Sequence, residues 1–335
     1  MLRIAVDVMG ADHQPAELIQ GLSMAAEEWP DVQLIAVGDE AILSQYIGSD
    51  SKLKIQHAAD FIRPDMDGAH AVRRNKQASV VVAATLVYNG EADAMISAGN
   101  TGALVSAGFL YIKRLDDIKR AALAPMIPTV DNVGVLALDL GADMDSEPLQ
   151  LVQYAIMGSA YRKMFHGMER PRVGLLNVGT EDGKGNFLSK QAFELLKTAP
   201  INFIGNVEAR DVLQRNCDVL VCDGFSGNIL LKAMEGTANT MFSIIRDELS
   251  ASFWTKLLAL PLRKRLRGIK DKYNYKSTGG GILLGVNGLC FKAHGSSDAL
   301  AIKNAISQAR YAIKNDLLNV IRSEIKKFDV KSDGK

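Results

Sequence analysis

Short apolar runs alternate with longer stretches whose apolar positions recur three and four residues apart, along nearly the whole chain. The short runs predict strands at 3–8, 32–37, 53–57, 94–97, 133–138, 173–178, 203–205 and 219–222. The helical spacing predicts helices at 15–29, 41–47, 78–88, 101–113, 148–164, 187–198 and 228–250. Strand and helix in alternation predict an α/β fold, a largely parallel sheet with helices on both faces. Towards the end, "GILLGVNGLCFKA" predicts a hairpin turning at Asn287 and Gly288, and 297–327 predicts one long helix. No internal repeat interrupts this order. A single α/β unit is expected over 1–330, and the polar tail at 331–335 is expected to fray with the residues just before it.

Polar and small residues collect where strands end. "DVMGAD" carries Asp7, Gly10 and Asp12, and "LDLGADMD" carries Asp139, Gly141 and Asp143. "NVGTEDGKGN" and "CDGFSGN" follow two further strands. Parallel sheets bind ligands beyond the carboxyl ends of their strands, so several such loops on one edge would build a crevice. "SAGNTGALVSAG", 97–108, sits at such a junction. The first N–H groups of a helix are unpaired, and small residues leave room there for an anion. The same residues read equally as a tight turn capped by Thr101.

Composition narrows the function. The chain has 335 residues, 47% hydrophobic and 23% charged, with a formal net charge of +1, so any basic surface is local. Cys217, Cys222 and Cys290 suit neither a disulfide framework nor a zinc site and read as reduced, buried thiols. "LRIAVDV" begins a strand and not a signal peptide, and no apolar run is long enough to span a bilayer. A cytoplasmic protein is expected.

Three familiar motifs fail. Between Gly179 and Lys184 a phosphate-binding P-loop is one residue short, and Gly185 stands where a magnesium-binding hydroxyl belongs. "GGGILLG" lacks the third glycine of a dinucleotide fingerprint at Leu284. "VLVCDGFSGNILL" resembles a nucleophile elbow at Ser226, with Asp271 and His294 following in hydrolase order, but Asn228 replaces the last glycine. Ser226 therefore reads as a helix N-cap, with a serine hydrolase or thioesterase as the alternative. The five histidines are scattered without metal spacing, and neither a metal nor a cofactor is called for.

The surviving loops offer donors and glycines: Asn100, Thr101, Lys184, Asn186, Ser226 and Asn228. Donors without an activated nucleophile suit an anionic nucleophile such as phosphate and a stabilised oxyanion. "IAVDVMGADHQP", "SAGNTGALVSAG", "NVGTEDGKGN" and "CDGFSGNILLK" closely resemble the bacterial phosphate acyltransferase family PlsX, in the same order and over nearly the whole chain. The resemblance implies an isocitrate/isopropylmalate dehydrogenase-like fold, also seen in phosphotransacetylase, and a homodimer. It implies transfer of an acyl group from acyl-[acyl carrier protein] to inorganic phosphate, with a membrane acyltransferase taking the acyl phosphate for phospholipid synthesis. Lys184 and Asn228 become the catalytic candidates, and Asp7, Gly10, Asn100, Thr101, Gly102, Asn186, Asp223 and Ser226 the phosphate or substrate-binding ones. On this reading the Gly99–Gly102 loop cradles either phosphate or the carrier's phosphopantetheine phosphate. "DMDGAHAVRRNKQAS" departs from the family pattern at Gly68, Ala69 and His70, though Arg73, Arg74 and Lys76 keep it basic.

The segment 251–276 is unusual. It is expected to be an amphipathic helical excursion: cations run through it among leucines, and Pro261 divides it into two short helices or a kinked one. Leu257, Leu258, Arg263, Lys264, Arg265 and Arg267 are candidates for meeting an anionic membrane surface, which would place the protein at the inner face of the cell membrane. The same residues could pack a dimer or dock the acidic carrier. Nucleic acid is excluded as a partner, because aromatics are not interleaved with the charges. A non-enzymatic lipid- or carrier-binding module stands as a further alternative.

Overall fold

The structure, a computed structural model, describes the chain except residues 12–14, 253, 254, 257, 258, 263, 264, 267, 270–279 and 333–335. The first half holds β1 (Leu2–Asp7), α1 (Pro15–Glu28), β2 (Val32–Gly38), α2 (Glu40–Leu43), β3 (Lys54–His57), α3 (Gly68–Arg74), α4 (Ser79–Tyr88), β4 (Ala94–Ser97) and α5 (Thr101–Ala107). Then come β5 (Ala122–Ile127), β6 (Val135–Leu138), α6 (Pro148–His166), β7 (Arg172–Asn177), α7 (Phe187–Thr198), β8 (Asn202–Glu208), β9 (Val219–Val221) and α8 (Gly224–Ser250). The hairpin β10 (Gly281–Leu284) and β11 (Leu289–Lys292) and the helices α9 (Ala299–Lys314) and α10 (Leu317–Ser332) complete the chain.

All the described strands join one eleven-stranded sheet, in the order β3-β2-β1-β4-β11-β10-β5-β6-β9-β7-β8. Residues alternate between its faces as the pleat demands. Ile4 and Val6 of β1 enter one buried layer, and Ala5 between them enters the other. The first layer runs under both halves of the sheet, from Leu18 and Leu22 of α1 to Leu151 of α6 and Leu196 of α7. The opposite face carries two smaller layers, one under α4 and α5 and one beside the start of α8.

Direction is the feature that positions the site. β1, β4 and β11 run parallel, and Asp7, Ser97 and Lys292 lie level at their carboxyl ends. Between β11 and β6 the sheet reverses three times, because β10 is antiparallel to β11, β5 to β10 and β6 to β5. An odd number of reversals leaves β6, β9 and β7 pointing the other way. The strand-end loops of the two halves therefore face opposite edges. The condition for one crevice, that all these loops share an edge, is not met.

Other differences are local. β5 was not expected, since Pro125 interrupts it; pairing with both β10 and β6 makes it a strand. α3 was not expected either, and Asp67 caps it by accepting from His70 N–H. The helix expected over 101–113 ends at Ala107 and continues as one π-helical turn, Gly108–Ile112. The helix expected over 297–327 breaks between Lys314 and Leu317, where Asp316 takes φ 52°. Beyond the break the chain is helical to Ser332, where fraying was expected.

Candidate functional site

At the first edge, Asp7 is buried and accepts from Ser97 Oγ at 2.7 Å and from Met9 N at 3.2 Å. Gly99 N in turn donates to Ser97 Oγ at 3.1 Å, and Gly10 lies against Gly99. Asp7 thus ties two strand-end loops together. The cap of α5 is Asn100, not Thr101. Asn100 Oδ1 accepts from Ala103 N at 3.0 Å, and Nδ2 donates to Met66 O at 2.9 Å and Pro64 O at 3.2 Å. The space beside this terminus is taken by α3. A Cβ on Gly68 would stand 2.2 Å from Ala103 N and 2.5 Å from Asn100 Oδ1, so only glycine allows this approach. Thr101 and Gly102 remain exposed beside it. Both polar ends of Asn100 are engaged in holding the loop.

At the second edge, three loops after β6, β7 and β9 line an open cavity of about 440 Å³. Asp145 and Ser146, Asn186 and Leu188, and Asp223 and Ser226 line it. The amino ends of α6, α7 and α8 all lie at this edge, since each helix follows a strand that ends there or its loop. Helix dipoles place partial positive charge at such ends. Asn186 caps α7, accepting from Ser189 N at 2.9 Å. Asp223 caps α8, accepting from Ser226 N at 2.8 Å. Ser226 is therefore not the N-cap, and α8 begins four residues before the position expected from the apolar spacing.

Lys184 lies on the loop between β7 and α7, half exposed, with Nζ 3.7 Å from Glu181 Oε1. Asn177, which opens "NVGTEDGKGN", and Asn206, which no motif includes, hold this loop. Asn177 Nδ2 donates to Lys184 O at 3.1 Å and to Asn206 Oδ1 at 3.0 Å, and Asn206 Nδ2 donates to Glu181 O at 2.8 Å. Asn228 lies in the first turns of α8, where its side chain sits against Gly141, which has φ +126°. Asp139, at the end of β6, organises the same loop. Fully buried, it accepts from Asp143 N at 2.7 Å and Ala142 N at 2.9 Å. Burial pushes its pKa up to about 6, against the pull of those N–H groups. The proposed site residues thus form two groups: Asp7, Gly10, Asn100, Thr101 and Gly102 at one edge, and Lys184, Asn186, Asp223, Ser226 and Asn228 at the other. Of the membrane or carrier docking candidates, Arg265 is exposed; Leu257, Leu258, Arg263, Lys264 and Arg267 lie outside the described residues.

The described nucleophiles lack an activating base at this edge. His294 follows β11 and bonds Ser296 Oγ at the first edge, so it cannot serve Ser226; Asp271 lies outside the described residues. His166 closes α6 as its nineteenth residue, at the end far from this edge. Burial raises the thiols of Cys217 and Cys290 to about 12 and that of Cys222 well above its usual value. Among the described residues no cluster of His, Cys, Asp and Glu could hold a metal ion.

The chain matches the family model of fatty acid synthesis proteins over residues 2–320. It is 49% identical to a phosphate acyltransferase of Bacillus cereus over 97% of this chain and 99% of that protein. The chain belongs to the phosphate acyltransferase family, PlsX. As a PlsX-family protein it is an acyltransferase of fatty acid and phospholipid synthesis, and the hydrolase alternative is not favoured. Its fold resembles that of a phosphotransacetylase from Streptococcus pyogenes, with a TM-score of 0.61 at 16% identity over 93% of this chain and 94% of the other. It also resembles a protein described as a 4-hydroxythreonine-4-phosphate dehydrogenase of Salmonella typhimurium, with a TM-score of 0.51 at 13% identity over 93% and 99%. The expected dehydrogenase- and phosphotransacetylase-like architecture is thereby met.

Proposed function

We propose that this PlsX-family protein transfers an acyl group from acyl-[acyl carrier protein] straight to inorganic phosphate in the cavity at the ends of β6, β7 and β9. The observation that carries this is a polar cavity between three helix amino ends, with no base-activated serine or cysteine among the described residues beside it. A phosphate oxygen attacks the thioester carbonyl, and a C–O bond forms as the carbonyl oxygen becomes an oxyanion. That oxyanion collapses, the C–S bond breaks, and the carrier thiolate leaves and takes up a proton. Lys184 and Asn228 supply donors for the oxyanion or for phosphate. Asn186, Asp223 and Ser226 shape the cavity wall, and helix ends favour the anion. Asp7, Gly10, Asn100, Thr101 and Gly102 support the first edge, where Thr101 and Gly102 alone of that set offer an open face.

The residues 1–330 act as one α/β unit, in keeping with the buried layer common to both halves. The protein works as a homodimer at the membrane surface, where the basic segment 251–276 meets anionic lipid and passes the acyl phosphate to a membrane acyltransferase. The attachment proposed is peripheral; no helix of the described residues is long and apolar enough to cross a membrane. The test is incubation with acyl-[acyl carrier protein] with and without phosphate, detecting acyl phosphate by mass spectrometry. Carrier release and acyl phosphate only in the presence of phosphate support transfer; equal release in its absence supports hydrolysis.

A further inference from the structure

We propose that the groove between the amino ends of α6 and α7 holds the acyl chain. This rests on the reaction proposed above. The groove has a volume of about 690 Å³, and Pro148, Leu149, Phe187 and Leu195 form its apolar walls. Phe187 is 77% exposed and Leu195 37%, so both present apolar surface to the groove. Phe187, Gln191 and Leu195 are four residues apart, so they form one stripe about 12 Å long on α7.

Continuity with the reaction cavity selects the occupant. Asn186 and Leu188 line the cavity, while Phe187 between them lines the groove. On the other wall Ser146 lines the cavity, and Glu147 and Pro148 line the groove. A thioester carbonyl in the cavity therefore has an apolar path leading from it at the first turn of two helices. A separate concavity beside Tyr161 and Phe165 cannot serve, because it lies by the turn from β5 to β6, at the opposite edge. Each methylene taken from water strengthens binding about fourfold, so contact along the stripe discriminates by chain length.

The first test uses the unaltered protein. Decanoyl-[acyl carrier protein] with a photoreactive diazirine at the chain end is bound without phosphate, irradiated, and the labelled peptides are mapped by mass spectrometry. Label on residues 147–149 or 187–195 supports the proposal, and label confined to other peptides overturns it. The second test is Leu195→Trp, which fills the groove. The ratio of kcat/KM for hexadecanoyl- over butanoyl-carrier should fall at least tenfold. An unchanged ratio in a folded variant overturns the proposal, and a changed molecular size with an unchanged ratio reassigns the groove to contact between copies. If Leu195→Trp does not fold, the crosslinking result decides. Unaltered protein that releases neither carrier in response to phosphate refutes the acyl-transfer reading itself, a result distinct from either outcome above.

Discussion

Two glycines of α8 should respond to the same substitution with opposite signs. A Cβ on Gly227 would stand 2.0 Å from Asp139 O, 2.8 Å from Cys222 Sγ and 2.9 Å from Leu140 Cδ2, where ordinary contact begins at 3.4 Å. The nearest of these atoms is backbone and cannot swing away, so Gly227→Ala must shift the start of α8 against the loop after β6. Such overpacking costs about 1–3 kcal/mol, and the helix propensity of alanine returns only about 0.5–1 kcal/mol. Displacing that turn also displaces Asp223 and Ser226 at the cavity and Asn228 beside Gly141. A misplacement of roughly 1 Å costs on the order of a hundredfold in rate. Gly236, nine residues along the same helix, meets nothing within 4 Å. Gly236→Ala should therefore gain about 0.5–1 kcal/mol and keep its activity. Urea unfolding and the phosphate-dependent assay, run on both variants, read the contrast. A Gly227→Ala protein as stable and active as Gly236→Ala would refute the packing argument and the tie between this contact and the site.

Lys184→Ala and Asn228→Ala should each lower turnover roughly a hundred- to a thousandfold while the protein stays folded, as loss of an oxyanion donor does; near-normal rates would reduce Lys184 to a solvated loop residue and Asn228 to packing. All three cysteines should resist a thiol reagent at neutral pH in the native protein and react fully once it is unfolded, because burial holds their pKa values up. Asp139 has a folded-state pKa of about 6, above its usual 3.8, so the folded protein binds this proton more tightly. The stability this gives is present below about pH 4 and is lost as pH rises through 6, and urea unfolding should show Asp139→Asn losing that dependence. Sedimentation with anionic vesicles should show binding that salt weakens and that Leu257→Glu or Leu258→Glu weakens further; variants that bind normally would send the basic segment to carrier docking.

Amphipathic spacing carried much of the fold. The strand at 94–97 and the helix at 187–198 match the observed β4 and α7: β4 is a short run buried on both faces, and α7 buries one regular stripe. Strand direction was not legible, since the reversal passes through β5, where Pro125 breaks the apolar pattern and partners from distant segments supply the pairing. Without that reversal the strand-end loops read as one crevice. Composition picked out the loops, but not which residues brace them. The bond from Asn177 to Asn206 spans 29 residues, and no local pattern marks it. The N-cap of α8 was misplaced for a related reason: "CDGFSGN" has turn composition, yet Asp223 accepts from Ser226 N–H and the glycines pack inside the helix.

Direct attack by phosphate is tested most directly by the mass of the intact protein during a single turnover. The protein is mixed in excess with hexadecanoyl-[acyl carrier protein] without phosphate, sampled by mass spectrometry, and sampled again after phosphate is added. The account predicts an unchanged protein mass throughout, no free carrier thiol before phosphate, and one acyl phosphate for each carrier released after it. An acyl adduct on Ser226, Cys217, Cys222 or any other residue, or carrier released before phosphate is present, would contradict it.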